Sequence, residues 1–353
     1  MKLLAKKKRK IAILFTSGLG DTLMFVPLLK HLKHKEFTIT CIFYSAHTND
    51  CLFDPSLVDS KIFIRSKFSL LFYALSRFRH FSNFYINQFG NGRTIRSAAF
   101  ICSKKITKTT ITSTSGAFSK RRKAVVPNFT DAEQNLRLLY TEQNAAIKNI
   151  EEFYLPRPLV KSSSGHGLQN NGSTGYFMIQ VSAGNNMTPF KNWPIKNWLI
   201  LIERLCRSFP HLEFIIAGDR TETAYARDFE NLGCSNCRVL IGKTTIEEVF
   251  DLTAKSSGYI GLDSGLMHIA VALQKKTLAI FGASNENLYG YEFLDPGNHK
   301  VISSTLTCRP CSSWKNANTS RVTNPMLCPD FACLTSIDPG RVFDQTCAHF
   351  NLQ

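Results

Sequence analysis

The chain has 353 residues, enough for two domains, and its 44% hydrophobic and 20% charged residues are typical of a globular protein. Its formal net charge of +17 is unusual and unevenly distributed. Residues 1–160 contain 26 Lys and Arg against 10 Asp and Glu, whereas residues 161–353 contain 17 against 16. A polyanion or an anionic membrane surface is therefore the expected neighbour of the N-terminal half. The sequence has no run of 18 apolar residues, so it predicts no membrane-spanning helix.

The first fifteen residues combine a basic start with a short apolar run. The run is too short for a signal peptide, and Gly18, Gly20 and Asp21 follow it where a cleavage site would be needed. We interpret it as a buried first strand behind a basic segment. Eleven cysteines in a chain without a predicted export signal favour reduced thiols in a cytoplasm.

The first half alternates short apolar strands with amphipathic helices, which predicts a parallel sheet covered by helices. Pro27 lies inside the first helical pattern and predicts a kink or an early break there. The predicted strands are residues 10–16, 37–44, 61–64, 84–86 and 106–111, and the predicted helices are 22–33, 69–79 and 130–142.

Residues 93–123 form a strongly basic segment, with nine Lys and Arg and no acidic residue. Frequent Ser and Thr favour a solvated loop. The charge equally favours a docking surface for an anionic acceptor or for lipid head groups. The expected contacts of that surface are the four consecutive cations Lys120, Arg121, Arg122 and Lys123.

A polar segment rich in Gly and Ser, residues 162–175, predicts a linker. A second alternating pattern follows, and Thr245 with Glu248 predicts a capping box at one of its helices. Each half is therefore predicted to be a doubly wound α/β domain, with ligands in a cleft at the carboxyl ends of the strands. The predicted strands are 176–181, 212–217, 238–241, 259–262 and 277–281, and the predicted helices are 194–208, 221–232, 245–254, 266–273 and 339–349.

Four polar positions follow predicted strands, and each has a catalytic and a structural interpretation. Asp21 is either a general base for a hydroxyl or a helix N-cap. Lys191 either neutralises a phosphate leaving group or is an exposed loop lysine. Glu222 either accepts hydrogen bonds from a ribose or stabilises a helix first turn. The turn at Asp263 either seats a phosphate on helix N–H groups or is an ordinary crossover with an Asp cap and a structural His268.

Several familiar motifs do not occur in this sequence. There is no D-x-D, so a carboxylate-held metal at a nucleotide diphosphate is not indicated. There is no G-x-x-x-x-G-K-[ST], which excludes a P-loop protein, and Gly18 with Gly20 lacks the third glycine of a dinucleotide fingerprint.

The ordered motifs resemble those of glycosyltransferase family 9, the ADP-heptose:lipopolysaccharide heptosyltransferases. The resemblance rests on G-L-G-D-T-L-M-F-V-P-L-L, K-N-W-P, A-G-D-R-T-E, and G-L-D-S-G-L-M-H-I-A-V-A-L with F-G-A-S after it. It implies an α/β GT-B fold in which two Rossmann-like doubly wound domains face a central cleft. The implied boundaries are an acceptor-binding domain at 1–161, a linker at 162–175, a nucleotide-sugar-binding domain at 176–338, and a final helix in 339–353 that returns to the N-terminal domain.

The resemblance also implies a chemistry: metal-independent transfer of a sugar with inversion, from a nucleotide-diphosphate donor such as ADP-heptose to a lipid-linked anionic glycan. Asp21 would be the base, Lys191 would stabilise the departing diphosphate, and Glu222 would hold the ribose. No cofactor is implied, and the expected location is the cytoplasmic face of an anionic membrane. The remaining implied donor contacts are Ser182, Gly184, Asp263, Ser264, Gly265, Leu266 and His268.

The C-terminal cysteines are a separate feature. Cys308 and Cys311, with Cys328 and Cys333, have spacing that allows a structural zinc site, but free or packing thiols are the favoured interpretation.

Two other functions compete with sugar transfer. A non-enzymatic nucleotide- or polyanion-binding protein would account for the basic half, but the basic stretches lack the interleaved aromatic residues suited to stacking on nucleic-acid bases. A sugar-nucleotide epimerase on a similar fold needs no acceptor and leaves the basic half unexplained.

Overall fold

The chain folds into two compact units, each with its own parallel sheet. Described residues up to 156 belong to the first unit and those from 175 onward to the second. The computed structural model describes residues 9–15, 18–44, 56–86, 93–108, 146–156, 175–183, 188–311 and 325–353. Four expectations lie outside these residues: the helix at 130–142, all but the last residue of the linker, the cations at 120–123, and the donor contact Gly184.

The first sheet has the order β3-β2-β1-β4-β5, and every neighbouring pair of strands is parallel. Its strands are β1 (Lys10–Phe15), β2 (Thr38–Tyr44), β3 (Ser60–Ile64), β4 (Asn83–Ile86) and β5 (Ile106–Lys108), and its helices are α1 (Leu19–Leu23), α2 (Val26–His34), α3 (Lys67–Ser76) and α4 (Arg93–Cys102). Strand β1 is buried at five of its six positions, as the continuous apolar run predicts.

The break predicted in the first helix is confirmed. Helix α1 ends at Leu23 and α2 begins at Val26, with Pro27 in its first turn. Proline fits there because its missing N–H would have no partner within the helix. The chain therefore forms two separate helices, with the break before the proline, and not one helix kinked at Pro27.

The solvated-loop interpretation of the basic segment is wrong for its first ten residues. These residues form α4, which buries Ile95, Ala98, Ala99 and Cys102. The spacing of these four side chains is that of one helical face, and the two cations of the helix, Arg93 and Arg96, are exposed. The high charge of the segment obscured this periodicity in the sequence.

The second sheet has the order β11-β10-β9-β6-β7-β8, again with only parallel neighbours. Its strands are β6 (Tyr176–Gln180), β7 (Glu213–Ala217), β8 (Cys237–Val239), β9 (Gly258–Leu262), β10 (Thr277–Phe281) and β11 (His299–Ser303). Its helices are α5 (Ile195–Ser208), α6 (Ala226–Glu230), α7 (Ile246–Lys255), α8 (Gly265–Ala272), α9 (Glu286–Tyr289), α10 (Ala332–Thr335) and α11 (Pro339–Phe350). The capping box of Thr245 and Glu248 at α7 is confirmed.

The last helix packs into the core of the second unit. Phe343 stacks on Phe209 with ring centroids 6.2 Å apart, and Phe350 meets the edge of Phe177 at 4.8 Å. The guanidinium of Arg204, on α5, lies 3.8 Å from the Phe343 ring. These contacts explain why α11 forms here, and its return to the N-terminal domain stays a prediction.

The strand orders identify one reversal point in each sheet. Successive strands are added in one direction and then in the other, and the direction changes between β1 and β4 in the first sheet and between β6 and β9 in the second. In open parallel sheets, ligands bind beyond the carboxyl ends of the strands at such points. Asp21 follows β1, Ser182 follows β6, and Asp263 follows β9, so three of the polar positions selected from the sequence lie at reversal points.

Two further findings concern the residues that the structure describes. None of their helices combines the length and the apolar character needed to cross a bilayer. The ten cysteines among them are all free thiols.

Candidate functional site

A buried ion pair occupies the turn after β9. The ammonium of Lys191 lies 2.7 Å from Oδ2 of Asp263, whose side chain is 2% exposed against 21% for Lys191. Burial alone would raise the pKa of Asp263, but the charges of Lys191 and His268 outweigh it, and the pKa is lowered. The site therefore holds an ionised carboxylate tied to a partly accessible cation.

The loop after β6 is what carries Lys191 to this carboxylate. A short 3-10 helix, Pro189–Lys191, ends at the lysine. The Asn192 side chain accepts from the Ala183 N–H at 2.7 Å, and the Thr188 hydroxyl donates to the Ala183 carbonyl at the same distance. Both bonds fasten the loop to the end of its strand. Lys191 is thus held by backbone and side-chain bonds rather than by its ion pair alone.

The N-cap of α8 is Ser264, so the structural interpretation of Asp263 as the cap is wrong. Asp263 turns to Lys191, and the Ser264 hydroxyl donates to the side-chain oxygen of Gln180. The Tyr259 hydroxyl lies 3.1 Å from the same oxygen. The first N–H groups of α8 have no acceptor within the helix, which makes them a natural seat for an anion.

His268 forms a buried polar pair with Tyr291. Its Nδ1 lies 2.7 Å from the Tyr291 hydroxyl, and both side chains are shielded from solvent. Burial raises the pKa of Tyr291 well above its usual value, and the negative charge of Asp263 adds to this. Tyr291 therefore keeps its proton, and His268 is held near Asp263 in a fixed orientation.

Glu222 is a second buried carboxylate, placed after β7 and 2% exposed. It lies in a 3-10 helix, Arg220–Tyr225, where the sequence predicted the start of an α-helix. Its Oε2 accepts from the backbone N–H of Asp219 at 3.0 Å, and Asp219 caps the helix in return. A methyl group on Gly218 would overlap the Glu222 carboxylate, so an alanine there would force this carboxylate to shift.

Tyr259 shows that the two carboxylates lie in one neighbourhood. Burial raises the pKa of its phenol beyond the ordinary range, and the negative charges of Asp263 and Glu222 both contribute to the increase. The second unit therefore brings Lys191, Glu222, Asp263 and His268 together. Of the other predicted donor contacts, Ser182 and Leu266 are buried, and Ser264 and Gly265 are half-buried. Gly184 lies outside the described residues.

Asp21 belongs to the first unit and stands in the first turn of α1. The N-cap of that helix is Gly18, so the alternative of Asp21 as the cap is wrong. The Thr22 hydroxyl donates to the Gly18 carbonyl at 2.9 Å, which tightens the turn. Asp21 is half-buried, and an acid in this position also interacts favourably with the helix dipole.

Sequence reasoning missed the residues that support the site. Gln180 joins Tyr259 and Ser264, and its only signal was a polar residue at the end of an apolar strand. Arg309 fixes the loop after β10: it pairs with Glu286 at 3.0 Å and donates to the Gly282 carbonyl at 2.7 Å. Nothing in the local pattern around Arg309 indicated this role.

The zinc site considered for the C-terminal cysteines is not assembled by the described side chains. Burial raises the pKa of Cys333 to about 12, with smaller effects from Cys311, Cys328 and Cys308, so the four thiols share one region. Across the described ranges, however, no three Cys, His, Asp or Glu side chains are placed to hold a metal ion. Cys311 packs instead against Phe190.

Comparison with known proteins decides the family. A family model described as glycosyltransferase family 9 (heptosyltransferase) matches residues 93–320, well over half of the chain. The chain belongs to glycosyltransferase family 9. It is therefore a glycosyltransferase, and the resemblance seen in the sequence is confirmed.

Members of the family with known sequence or structure match nearly the whole chain. Lipooligosaccharide heptosyltransferase 2 of Campylobacter jejuni is 26% identical over 345 residues, which cover 95% of this chain and 97% of that protein. The structure of E. coli ADP-heptose lps heptosyltransferase II superposes with a TM-score of 0.68 at 18% identity, covering 97% of this chain and 98% of that one. A family 9 glycosyltransferase from Veillonella parvula gives a TM-score of 0.67 at 15% identity, covering 98% of both chains. The predicted GT-B fold is confirmed by these two structures.

Proposed function

We propose that this family 9 member transfers a heptose from ADP-heptose to the core of a lipopolysaccharide or lipooligosaccharide. The observation that carries the proposal is the match to the Campylobacter jejuni heptosyltransferase, which spans both units and nearly the full length of each chain. The proposal includes inversion at the anomeric carbon and catalysis without a metal ion.

The Lys191–Asp263 pair is suited to a diphosphate leaving group. Breaking the bond between the anomeric carbon and the diphosphate leaves negative charge on the phosphates, which a fixed cation and helix N–H groups stabilise. Lys191 is the cation, and the N–H groups are those at the start of α8, with Ser264, Gly265 and Leu266. Asp263 is ionised and would repel a phosphate, so we assign it to orienting Lys191 and not to binding the donor.

The nucleoside is assigned to the neighbouring strand ends. Glu222 is proposed to accept hydrogen bonds from the ribose hydroxyls, as buried acids after strands do in related nucleotide sites. Its carboxylate is already positioned by the Asp219 N–H and by the space that Gly218 leaves open. Ser182, Gly184 and His268 complete the proposed donor pocket.

Asp21 is proposed as the general base. It accepts the proton of the acceptor hydroxyl while the hydroxyl oxygen forms its bond to the anomeric carbon and the diphosphate departs. Its position after β1, at the reversal point of the first sheet, is typical of ligand-binding residues in such folds.

The acceptor is proposed to be lipid-linked, with the protein peripheral at the cytoplasmic face of an anionic membrane. The charge of the first 160 residues, 26 Lys and Arg against 10 Asp and Glu, supports this location. Lys120, Arg121, Arg122 and Lys123 are proposed contacts for the acceptor or the membrane.

One assay tests the whole proposal. Purified protein is incubated with ADP-heptose and a truncated lipopolysaccharide core, and ADP release is measured beside ADP-, UDP- and GDP-linked hexoses. We expect release with ADP-heptose, unchanged by EDTA, and a product whose anomeric configuration is inverted by NMR. Absence of release with every donor would overturn the proposal, and loss of activity with EDTA would overturn its metal-free mechanism.

A further inference from the structure

Helix α3 of the first unit exposes a row of large apolar side chains. Phe68 is 85% exposed, Phe72 is 76% exposed and Leu75 is 62% exposed. Their spacing of four and three residues places them on one helical face. Isolated exposed apolar residues are ordinary on protein surfaces, but a continuous row of this size marks an interaction surface.

The row does not contribute to the fold of the helix. Leu70 and Ala74 are the residues of α3 that are buried against the sheet, on the opposite face. The Ser66 hydroxyl caps the helix by accepting from the Ser69 N–H at 3.1 Å. A polar outer face would therefore leave the fold intact, so the aromatic residues there need a different explanation.

The surface continues beyond the helix. Phe78 is 70% exposed, and Phe100, on α4, is 72% exposed. The Arg79 N–H donates to the Ile101 carbonyl at 3.0 Å, which joins the segment after α3 to the end of α4. We name the set Phe68, Phe72, Leu75, Phe78 and Phe100 the aromatic ridge.

The Asp, Glu, Lys and Arg residues of the stretch that carries the aromatic ridge are all cations. Residues 60–108 contain ten Lys and Arg and no Asp or Glu. The exposed cations among the described residues of this stretch are Arg65, Lys67, Arg77, Arg79, Arg93, Arg96, Lys104 and Lys105. Long basic side chains next to apolar groups are typical of surfaces that insert aromatic rings between lipids and bind the anionic head groups around them.

We propose that the aromatic ridge and its flanking cations dock the protein on an anionic lipid bilayer. The apolar side chains would enter the acyl boundary, and the cations would bind the head groups. The inference deepens the proposed function, on which it rests for a reason to bind lipid, but docking is measurable without sugar transfer. It adds a contact on α3 and α4 to the contacts proposed at the cations 120–123.

Charge favours a bilayer over a second copy of the chain. A symmetric contact through this surface would bring together two sets of cations without an acidic partner among residues 60–108. An anionic bilayer supplies both the counter-charge and an apolar phase. Nucleic acid would supply the charge but no apolar phase for Leu75, and it is a separate outcome of the test.

The first test is flotation of the full chain with vesicles. Vesicles of phosphatidylethanolamine with phosphatidylglycerol are compared with vesicles of phosphatidylcholine. We expect binding to the anionic vesicles only, weakened by salt. The triple variant Phe68→Ser/Phe72→Ser/Leu75→Ser should reduce the partition coefficient at least about tenfold. The pair Arg77→Gln/Lys105→Gln should reduce it by roughly an order of magnitude at low salt.

A matched control comes from the second unit. Ile200, on α5, is 53% exposed, so Ile200→Ser removes a similar apolar side chain from a helix surface. This variant should bind vesicles like the wild type. Circular dichroism and thermal melting verify that every variant is folded. Equal loss of binding in the control and in the triple variant would overturn the assignment to the ridge.

A second measurement, tryptophan fluorescence, tests insertion into the bilayer with a variant that still binds vesicles. In Phe72→Trp, the added indole should shift its emission to the blue on anionic vesicles and be quenched by brominated acyl chains, relative to the wild type. An unchanged spectrum would overturn insertion of this face.

The remaining outcomes separate this inference from the proposed function. Vesicle binding that survives in the triple variant, a ridge-dependent dimer without vesicle binding, or RNA binding without vesicle binding each overturns the docking surface. Transfer to a deacylated, water-soluble core should be equal in the wild type and the triple variant. Vesicle binding without any transferase activity would overturn the proposed function and leave the docking surface standing.

Discussion

The charged groups of Lys191 and Asp263 are 2.7 Å apart, and the Asp263 side chain is almost completely buried while the Lys191 side chain is 21% exposed. This difference in exposure matters because Lys191 can exchange its partner for another anion, whereas Asp263 cannot exchange Lys191 for water. A bound phosphate can replace Asp263 as a partner of Lys191. Asp263 has no comparable access to solvent, so its ionised state depends on the lysine.

Lys191→Met should therefore cost both activity and stability. Removing one partner of a buried ion pair leaves an uncompensated charge, which costs about 3 to 5 kcal/mol in dry sites and less here because Lys191 is partly exposed. We expect the pKa of Asp263 to rise, the free energy of unfolding to fall by about 2 kcal/mol, and sugar transfer to be lost. Urea denaturation and ADP release measure the two effects.

Two further variants isolate this cause. Lys191→Met/Asp263→Asn removes the buried charge as well and should recover much of the stability without recovering activity. Lys243→Met removes one partner of an exposed pair, Lys243 with Glu230 at 2.9 Å, and should change the free energy of unfolding by at most about 1 kcal/mol. Equal destabilisation by Lys191→Met and Lys243→Met would contradict the buried-pair explanation.

Gly218 is predicted to affect donor binding indirectly, through the position of the Glu222 carboxylate. In Gly218→Ala the new methyl group overlaps the carboxylate, which has to move from the Asp219 N–H. We expect a higher KM for the donor, by roughly tenfold if one hydrogen bond is lost, with a smaller change in kcat. Steady-state kinetics with varied ADP-heptose measure it.

Gly297→Ala is the matched control for this variant. A methyl group there meets Oδ1 of Asp295 at 3.5 Å, an ordinary contact distance. Its donor KM should equal that of the wild type. A Gly218→Ala enzyme with unchanged donor KM would remove Glu222 from the ribose-binding role or show that its carboxylate adapts freely.

The sequence predicted the two sheets and the polar strand ends, because continuous apolar strands and turn residues are local signals. It could not predict the partner of Asp263, since the capping and ion-paired positions of an aspartate follow the same turn chemistry. Helix α4 was missed because its four buried side chains lie in a segment whose charge, Ser and Thr content favoured a loop. Phe68 and Phe72 lie in an apolar stretch that predicts burial, and only the packing of Leu70 shows which face is outside.

His299 gives a pH prediction for the stability of the second unit. Burial lowers its pKa to about 4, while the negative charge of Asp295 raises the pKa slightly and the charge of His349 lowers it slightly. In the unfolded chain a histidine titrates near about 6.5, so between these values the unfolded state binds a proton that the folded state does not. The free energy of unfolding should be highest above about pH 6.5 and fall by up to about 3 kcal/mol as the pH drops to about 4.

Denaturation at a series of pH values measures this slope, and His299→Gln should flatten it. The exposed His211→Gln is the control and should keep the wild-type slope. Lowered carboxylate pKa values, such as that of Asp263, act below about pH 4. Burial also lowers the pKa values of His80 and His349, so a smaller part of the slope should remain in His299→Gln. A wild-type slope in His299→Gln would assign the pH dependence to another group.

Asp21→Asn tests the division of labour between the two units. Asparagine keeps the size of the side chain but cannot take the acceptor proton, and loss of a general base typically costs about 10² to 10⁴ in rate. We expect kcat to fall by at least about a hundredfold while the Kd for ADP stays unchanged, because the proposed donor residues all belong to the second unit. Turnover is measured by ADP release and ADP affinity by calorimetry.

The stability of this variant needs a separate measurement, because an acid in the first turn of α1 also favours the helix by up to about 1 kcal/mol. Glu36→Gln, an exposed acid of the same unit, controls for the loss of one negative charge and should keep full turnover. Asp21→Asn that is folded, binds ADP and still transfers sugar at the wild-type rate would exclude Asp21 as the base. Loss of ADP binding in the same variant would instead show that Asp21 acts on the donor, and the assignment of acceptor chemistry to the first unit would fail.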